Sequence, residues 1–167
     1  MILFHGSNVE VSCIDLLKCT MYKDFGQGFY TTSIKKQACE WAIKVTRRFN
    51  SGSPTLSLYE FNDNQDDLSS YIFSEPDEKW ATFVINNRNR DFFYHSDILS
   101  NHDKKYDFVH GFVANDDISA ILDTFLMGIL PMSEISRALM YKHLNDQYSF
   151  HTPKAIACLK YLRSETI

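Results

Sequence analysis

The 167-residue sequence contains little cysteine, proline or glycine and no long apolar run. Its four cysteines form no C-x-x-C pair and have no histidine at zinc-ligand spacing, which argues against a disulfide scaffold and a zinc site. Free thiols are the expectation, and they favour a reducing compartment and a cytoplasmic protein without a metal. No segment approaches the roughly 20 apolar residues of a membrane helix, so we expect no membrane contact.

The charge balance and the apolar content narrow the class of protein further. Lys and Arg total 17 and Asp and Glu total 21, so the formal net charge is −4, which argues against a protein that coats nucleic acid. Hydrophobic residues make up 44% of the chain and aromatic residues 14%, enough to build one sizeable core. No linker or repeat divides the sequence, so we predict a single domain over residues 1–167.

Hydrophobic periodicity predicts short strands near both ends of the chain and helices between them. This order indicates an α+β fold in which strands from the two chain ends pair centrally. The predicted strands are residues 2–5, 28–32, 55–61, 106–113, 148–152 and 159–164. The predicted helices are 33–49 with Ser33 as N-cap, 78–87, 116–128 and 133–143, and the polar segment 62–70 is expected to be a loop.

Three short motifs carry polar and aromatic residues that suit a ligand site. His5-Gly6-Ser7 ends the first strand, a Gly-x-Gly bend precedes Tyr30, and Gln147 lies near the last strands. A histidine at a strand end can aim its ring into a cleft. The neighbouring glycine leaves its backbone N–H and C=O open to a planar amide, because no Cβ blocks close approach.

The bend and the helix that follows supply two aromatic planes. Gly26 and Gly28 permit a bend that sets Tyr30 on the next strand, and Trp41 in the following helix can turn over the same cleft. Together with a backbone amide they form a slot for a flat, polar heteroaromatic ring, and Gln147 can hydrogen-bond a hydroxyl group from the opposite side. Each feature also has a structural explanation, as a satisfied histidine, a core tryptophan or an ordinary turn, so the prediction depends on their combination.

The combination resembles the ADP-ribosyltransferase superfamily, in its diphtheria-toxin and poly(ADP-ribose) polymerase branch with the signature His-Tyr-Glu. The matching segments are HGS at residues 5–7 and FGQGFYTT at residues 25–32, followed by SIKKQACEW. The whole chain also resembles a small bacterial family of single-domain proteins of unknown function. The resemblance implies split antiparallel sheets that form a central NAD cleft flanked by helices, with Gly28 in the cofactor-binding segment.

The resemblance also implies a role for each matching residue. His5 corresponds to the histidine that binds a ribose hydroxyl of NAD, and Gly6 to the residue whose backbone binds the nicotinamide carboxamide. Tyr30 and Trp41 correspond to the aromatic residues on the two faces of the nicotinamide ring. Ser7 follows the motif and is expected at the adenine ribose. NAD is then a substrate, and no metal is required.

Two positions depart from the family pattern. Ala38 stands where a serine often contacts the carboxamide, and Gln147 stands where the family has its glutamate. A glutamine keeps the hydroxyl contact but provides no negative charge for an oxocarbenium-like transition state. If the protein is an enzyme and the geometry of the site stays intact, replacing Gln147 by glutamate is therefore expected to raise turnover. His5, Tyr30 and Gln147 form the predicted catalytic set.

The function implied is that of an NAD-dependent mono-ADP-ribosyltransferase that modifies a macromolecule. The alternatives are a weak or inactive NAD- or ADP-ribose-binding module and an NAD glycohydrolase. The resemblance further implies a bacterial toxin or defence effector with a small neutralising partner protein. Arg88 and Arg90 are interpreted either as contacts for the NAD pyrophosphate or as solvated surface.

Overall fold

The computed structural model describes residues 1–62, 67–90, 99–131, 133–135, 137 and 145–167, which form an α+β fold with two mostly antiparallel sheets. The first sheet has the order β1-β3-β7, with β1 at Ile2–Ser7, β3 at Thr55–Phe61 and β7 at Leu159–Thr166. The second sheet has the order β2-β6-β5-β4, with β2 at Phe29–Thr31, β6 at Asp146–Phe150, β5 at Phe108–Phe112 and β4 at Ser70–Ile72.

Strands from both chain ends lie in the first sheet, where β1 and β7 flank β3. Each predicted strand is present, with bounds that differ by at most two residues. The exception to the prediction is β4, which lies at the end of the segment expected to be a loop. It is three residues long and pairs with β5 in parallel, so no alternating pattern marks it.

In the part of the chain that the structure describes in full, four helices and one 3-10 turn connect the strands. The turn is Leu16–Lys18, and the helices are α1 at Lys35–Phe49, α2 at Glu78–Arg88, α3 at Asp116–Leu126 and α4 at Pro153–Ile156. The helix expected over residues 133–143 lies largely outside the described residues. In the described part of the chain, every helix is too short or too polar to cross a membrane.

The predicted N-cap of α1 is wrong. Ile34 occupies the cap position and makes no side-chain hydrogen bond. Ser33 is instead held by Asp146, whose carboxylate accepts hydrogen bonds from the Ser33 amide at 3.1 Å and from its hydroxyl. The same carboxylate accepts from Thr32 Oγ1 at 2.5 Å. The start of α1 is thus tied to β6, a connection of more than 100 residues that local sequence does not reveal.

Three packed layers hold the sheets and helices together. The core between the two sheets contains Leu3, Phe29, Tyr59, Phe61, Phe108 and Phe150. On the far face of the second sheet, residues of α2 and α3 pack on Val109 and Phe25. On the far face of the first sheet, Ala38 of α1 packs on Leu56 and Leu58.

Gly6 is required by the close approach of α1 to β1. A Cβ atom at this position would lie 2.0 Å from the Ala38 carbonyl oxygen and 2.9 Å from the Ala42 amide nitrogen. Both contacts are with backbone, which cannot move aside as a flexible side chain would. The packing of the helix thus accounts for the glycine, where the sequence suggested close approach of a ligand.

We predict that Gly6→Ala lowers the free energy of unfolding by about 3 kcal/mol, because an added methyl group overpacks the β1–α1 contact. Gly128→Ala is the matched control, since no atom lies within 4 Å of its added Cβ and only the positive φ of +69° is unfavourable. That control should cost about 1 kcal/mol. Urea denaturation measures both, and equal losses would contradict the close approach.

Candidate functional site

The two sheets meet where β1 passes β2. Phe4 and Thr32 exchange backbone hydrogen bonds of 2.8 and 3.0 Å, and the pairing does not extend to Gly6 and Tyr30, the next residues in register. The Tyr30 carbonyl instead accepts a hydrogen bond from Nδ1 of His5 at 2.7 Å. A side chain therefore takes the place of a backbone partner, and the ladder between β1 and β2 ends there.

Among the described residues, no strand pairs with the backbone N–H and C=O groups of Gly6 at this edge. Alternate residues of a strand turn their N–H and C=O groups to the same side, so Gly6 faces the edge at which Phe4 bonds Thr32. Its other neighbour, β3, pairs on the opposite edge. One donor and one acceptor therefore lie side by side at the junction, a pattern that matches a primary carboxamide.

His5 is a neutral hydrogen-bond acceptor at this junction. A carbonyl oxygen can only accept, so Nδ1 carries the proton and Nε2 presents a lone pair. Burial lowers the pKa of the imidazole, and the hydrogen bond to Tyr30 opposes that shift only in part. The ring packs against Phe29 with 4.4 Å between centroids. Nε2 therefore suits a hydroxyl donor at neutral pH.

Tyr30 is tied to the bend that precedes it. Its hydroxyl donates to the Gly26 carbonyl at 2.7 Å and accepts from the Phe25 amide at 3.0 Å, and Gly26 has the positive φ of +92° that the bend needs. Burial and the nearby Asp24 carboxylate raise the pKa of the phenol well above its usual value. Since the hydroxyl is occupied, the ring is the part of Tyr30 that can meet a ligand.

Gln147 shares a face of the second sheet with Tyr30. Tyr30 pairs with Ser149, and Gln147 lies two residues before Ser149, so the three side chains point the same way. Phe29 points to the opposite face, so the imidazole of His5 and the ring of Tyr30 lie on different sides of β2. The structure thus brings the predicted catalytic set onto three neighbouring strands but not onto one surface.

The side chain of Gln147 is only 7% exposed, and its amide group has one defined orientation. Nε2 donates to Asp24 Oδ2 at 2.8 Å and to the Phe112 carbonyl at 2.8 Å. Both partners are acceptors only, so the nitrogen must face them. No residue in the described ranges donates to Oε1. A buried acceptor that receives no hydrogen bond from the described residues calls for an explanation, and a bound hydroxyl is one.

Asp24 is the residue of this site that sequence reasoning missed. It is 8% exposed, and its Oδ1 accepts from Arg88 Nε at 2.9 Å and from Nη2 at 2.6 Å. Its Oδ2 accepts from the Ala114 amide at 3.0 Å as well as from Gln147. The available signal was its position immediately before the FGQG motif.

Arg88 binds groups from several elements of the fold. Besides Asp24 it donates to Ser119 Oγ and to the Ala114 carbonyl, both at 2.7 Å. Its side chain is 30% exposed, so it is only partly on the surface, and the pyrophosphate contact stays a prediction. Arg90 is exposed and lies 5.7 Å from the centroid of the Tyr22 ring.

Three cationic side chains lie over the ring of Trp41. It is 39% exposed on α1, and Lys23, Lys44 and Arg48 lie 5.4, 5.8 and 5.9 Å from its ring centroid. Burial lowers the pKa of Lys23, and the positive charges of the neighbouring arginines lower it further. Ser7 is half-buried at the end of β1, and its hydroxyl donates to Asn8 at 3.5 Å.

Gly28 is required by the packing of His151. A Cβ atom at Gly28 would lie 2.6 Å from His151 Nδ1 and 2.8 Å from the Phe150 carbonyl oxygen. The imidazole is fully buried, donates from Nδ1 to the Gln27 carbonyl at 2.9 Å and bonds Ser149 Oγ through Nε2 at 2.8 Å. This part of the family-like motif therefore has a structural cause.

Two cavities lie away from these residues, at the other end of the core between the sheets. Their volumes are about 440 and 250 Å³, and Met1 and Phe61 line both. None of the residues predicted for the site lines either of them. Within the described ranges, no cluster of three or more His, Cys, Asp or Glu side chains is arranged to hold a metal ion.

Comparison with known proteins adds one match. Residues 1–161 match the model of a protein family described as proteins of unknown function (DUF3990). No curated protein and no solved structure matches the chain. The family description assigns no activity.

We predict that His151 makes stability depend on pH. Burial lowers its folded-state pKa from 6.5 to about 4, so the unfolded chain takes up a proton first as the pH falls. This contribution is fully present above pH 6.5 and is lost progressively toward pH 4, by up to about 3 kcal/mol.

Urea denaturation of the wild type and His151→Gln at pH 7.5, 5.5 and 4.5 measures this effect. The difference in unfolding free energy between the two proteins should shrink as the pH falls, since carboxylates common to both cancel. A difference that stays constant with pH would contradict the buried neutral imidazole.

Proposed function

The chain belongs to the DUF3990 family, and we propose that it binds NAD where β1, β2 and β6 meet and transfers single ADP-ribose units from it to a macromolecule. The observation that carries this proposal is a pair of neutral acceptor atoms, His5 Nε2 and Gln147 Oε1, on either side of β2. A ligand that satisfies both acceptors must donate hydrogen bonds from two hydroxyl groups in separate parts of the molecule. NAD, with one ribose in each half, has this form.

The nicotinamide end of NAD fits the β1–β2 edge. Its carboxamide offers one acceptor and two donor hydrogens, which complement the backbone N–H and C=O of Gly6. The ring then stacks on Tyr30, whose occupied hydroxyl fixes the plane of the phenol. Gln147 lies on the same face as Tyr30 and accepts from the nicotinamide ribose, while His5 accepts from the second ribose.

The chemistry follows from what this site has and lacks. The bond between nicotinamide and ribose breaks with its electron pair leaving on the nicotinamide, and positive charge develops on the ribose carbon. A nucleophilic atom of the macromolecule then bonds this carbon and releases its proton to solvent. Gln147 Oε1 orients the adjacent hydroxyl and presents a partial negative charge. The Asp24 carboxylate is already bound by four hydrogen bonds, two of them from Arg88, so it adds little net charge. Slow transfer of a single unit is the expected outcome.

A second function, an NAD- or ADP-ribose-binding module, is favoured by one observation. The carboxylate that would lower the barrier is absent at position 147, and binding needs only the acceptors that remain. Hydrolysis, with water as the acceptor, is the third possibility. Release of free nicotinamide separates the two enzymes from the binding module, and transfer of label from NAD to macromolecules separates the two enzymes from each other.

We further propose a cellular role as a bacterial toxin or defence effector that a small partner protein restrains. The support is the resemblance of the motifs and the nature of the reaction, since adding ADP-ribose to a macromolecule alters its charge and shape. Expression in a bacterial host tests this role. Growth arrest with the wild type and normal growth with Tyr30→Ala would support it, and equal growth would contradict it.

We predict that His5→Asn weakens NAD binding at least tenfold, which corresponds to about 1.4 kcal/mol. The Asn side-chain amide can still donate to the Tyr30 carbonyl, but the acceptor at the Nε2 position is lost. Isothermal titration calorimetry measures the dissociation constant, and a thermal melt checks that folding is retained.

Lys36→Ala is the matched control, because the Lys36 side chain is 86% exposed on α1 and its ion pair, at 3.9 Å, is with Glu40 of the same helix. It should leave the dissociation constant of NAD unchanged. Failure of the wild type to bind NAD would refute the proposed function, and equal binding by His5→Asn would remove His5 from the site.

A further inference from the structure

Asp24 and Gln147 form a coupled pair that neither the resemblance nor the family match assigns. Asp24 Oδ2 and the Phe112 carbonyl take both hydrogens of the Gln147 amide at 2.8 Å. The carboxylate is in turn held by Arg88 from α2 and by the Ala114 amide after β5. The orientation of one side chain thus depends on three separate elements.

We propose that Asp24 is a positioning residue that presents Gln147 Oε1 to the ribose hydroxyl. This inference rests on the proposed NAD site. Turning the amide over would bring Oε1 to 2.8 Å from two acceptors in a buried environment and would lose both hydrogen bonds. The carboxylate therefore selects one of the two amide orientations, and that orientation leaves the oxygen for the ligand.

The same contact explains why the residue at 147 is an amide. A glutamate there would place a second carboxylate about 2.8 Å from Asp24, and two carboxylates this close cannot both ionise readily. It would also face the Phe112 carbonyl without a hydrogen to donate. The single exchange that the sequence suggested as an improvement is therefore expected to destabilise the protein at alkaline pH.

Exchanging both residues together keeps one carboxylate and one amide in the pair. In Asp24→Asn/Gln147→Glu, the Asn amide can donate to the new carboxylate, and Arg88 remains nearby. The Ala114 amide loses its acceptor, so recovery is partial. The negative charge then lies on the residue that contacts the ribose, and nicotinamide release should be faster than in the wild type.

The experiment compares the wild type, each single variant and the double variant by thermal melting at pH 8 and pH 5.5 and by NAD titration. Gln147→Glu should melt well below the wild type at pH 8 and recover part of the loss at pH 5.5, where protonation relieves the repulsion. The double variant should melt above Gln147→Glu at pH 8. Asp24→Asn should bind NAD at least tenfold more weakly than the wild type.

Ser119→Ala separates positioning from stability. It removes a hydrogen bond from Arg88 but leaves the contact between Asp24 and Gln147, so it should lower the melting temperature without weakening NAD binding. If the wild type binds NAD and Asp24→Asn binds it with the same dissociation constant, the positioning role is overturned and the proposed function stands. A wild type that does not bind NAD would overturn both.

Discussion

The buried carboxylate of Asp24 is the interaction on which the candidate site depends. It joins the loop before β2 to the end of α2, to the chain after β5 and to the side chain of Gln147 on β6. Four donors surround its two oxygens, so its burial is compensated. Removing any one partner would leave charged or polar atoms unsatisfied, and for this reason the network holds β2 and β6 in a fixed relation.

The site built on this network has acceptor atoms but no uncompensated charge. His5 is neutral because burial lowers its pKa, Gln147 is an amide, and the charge of Asp24 is balanced by Arg88. Such a site can accept hydrogen bonds from hydroxyl groups but provides little field for a cationic transition state. Whether such a site transfers ADP-ribose slowly or only binds NAD therefore depends on its electrostatics more than on the presence of the motif.

The motif itself mixes functional and structural constraints. Gly6 lies against the backbone of α1 and Gly28 against His151, so packing alone requires both glycines. The bend at Gly26 is held by the Tyr30 hydroxyl, which also fixes the ring. A sequence match cannot separate these causes, because a glycine needed for packing and a glycine needed for a ligand are the same letter in the sequence.

The sequence by itself predicted six of the seven described strands and the helices α1, α2 and α3, because alternating and helical periodicities are local properties of the chain. It also identified His5, Tyr30 and Gln147 as candidates that the fold brings onto neighbouring strands. Only the tertiary structure decided that Asp24 pairs with Arg88 and Gln147, that Asp146 holds Ser33, and that β4 joins β5. These contacts join residues far apart in the chain, and their geometry depends on how whole elements pack.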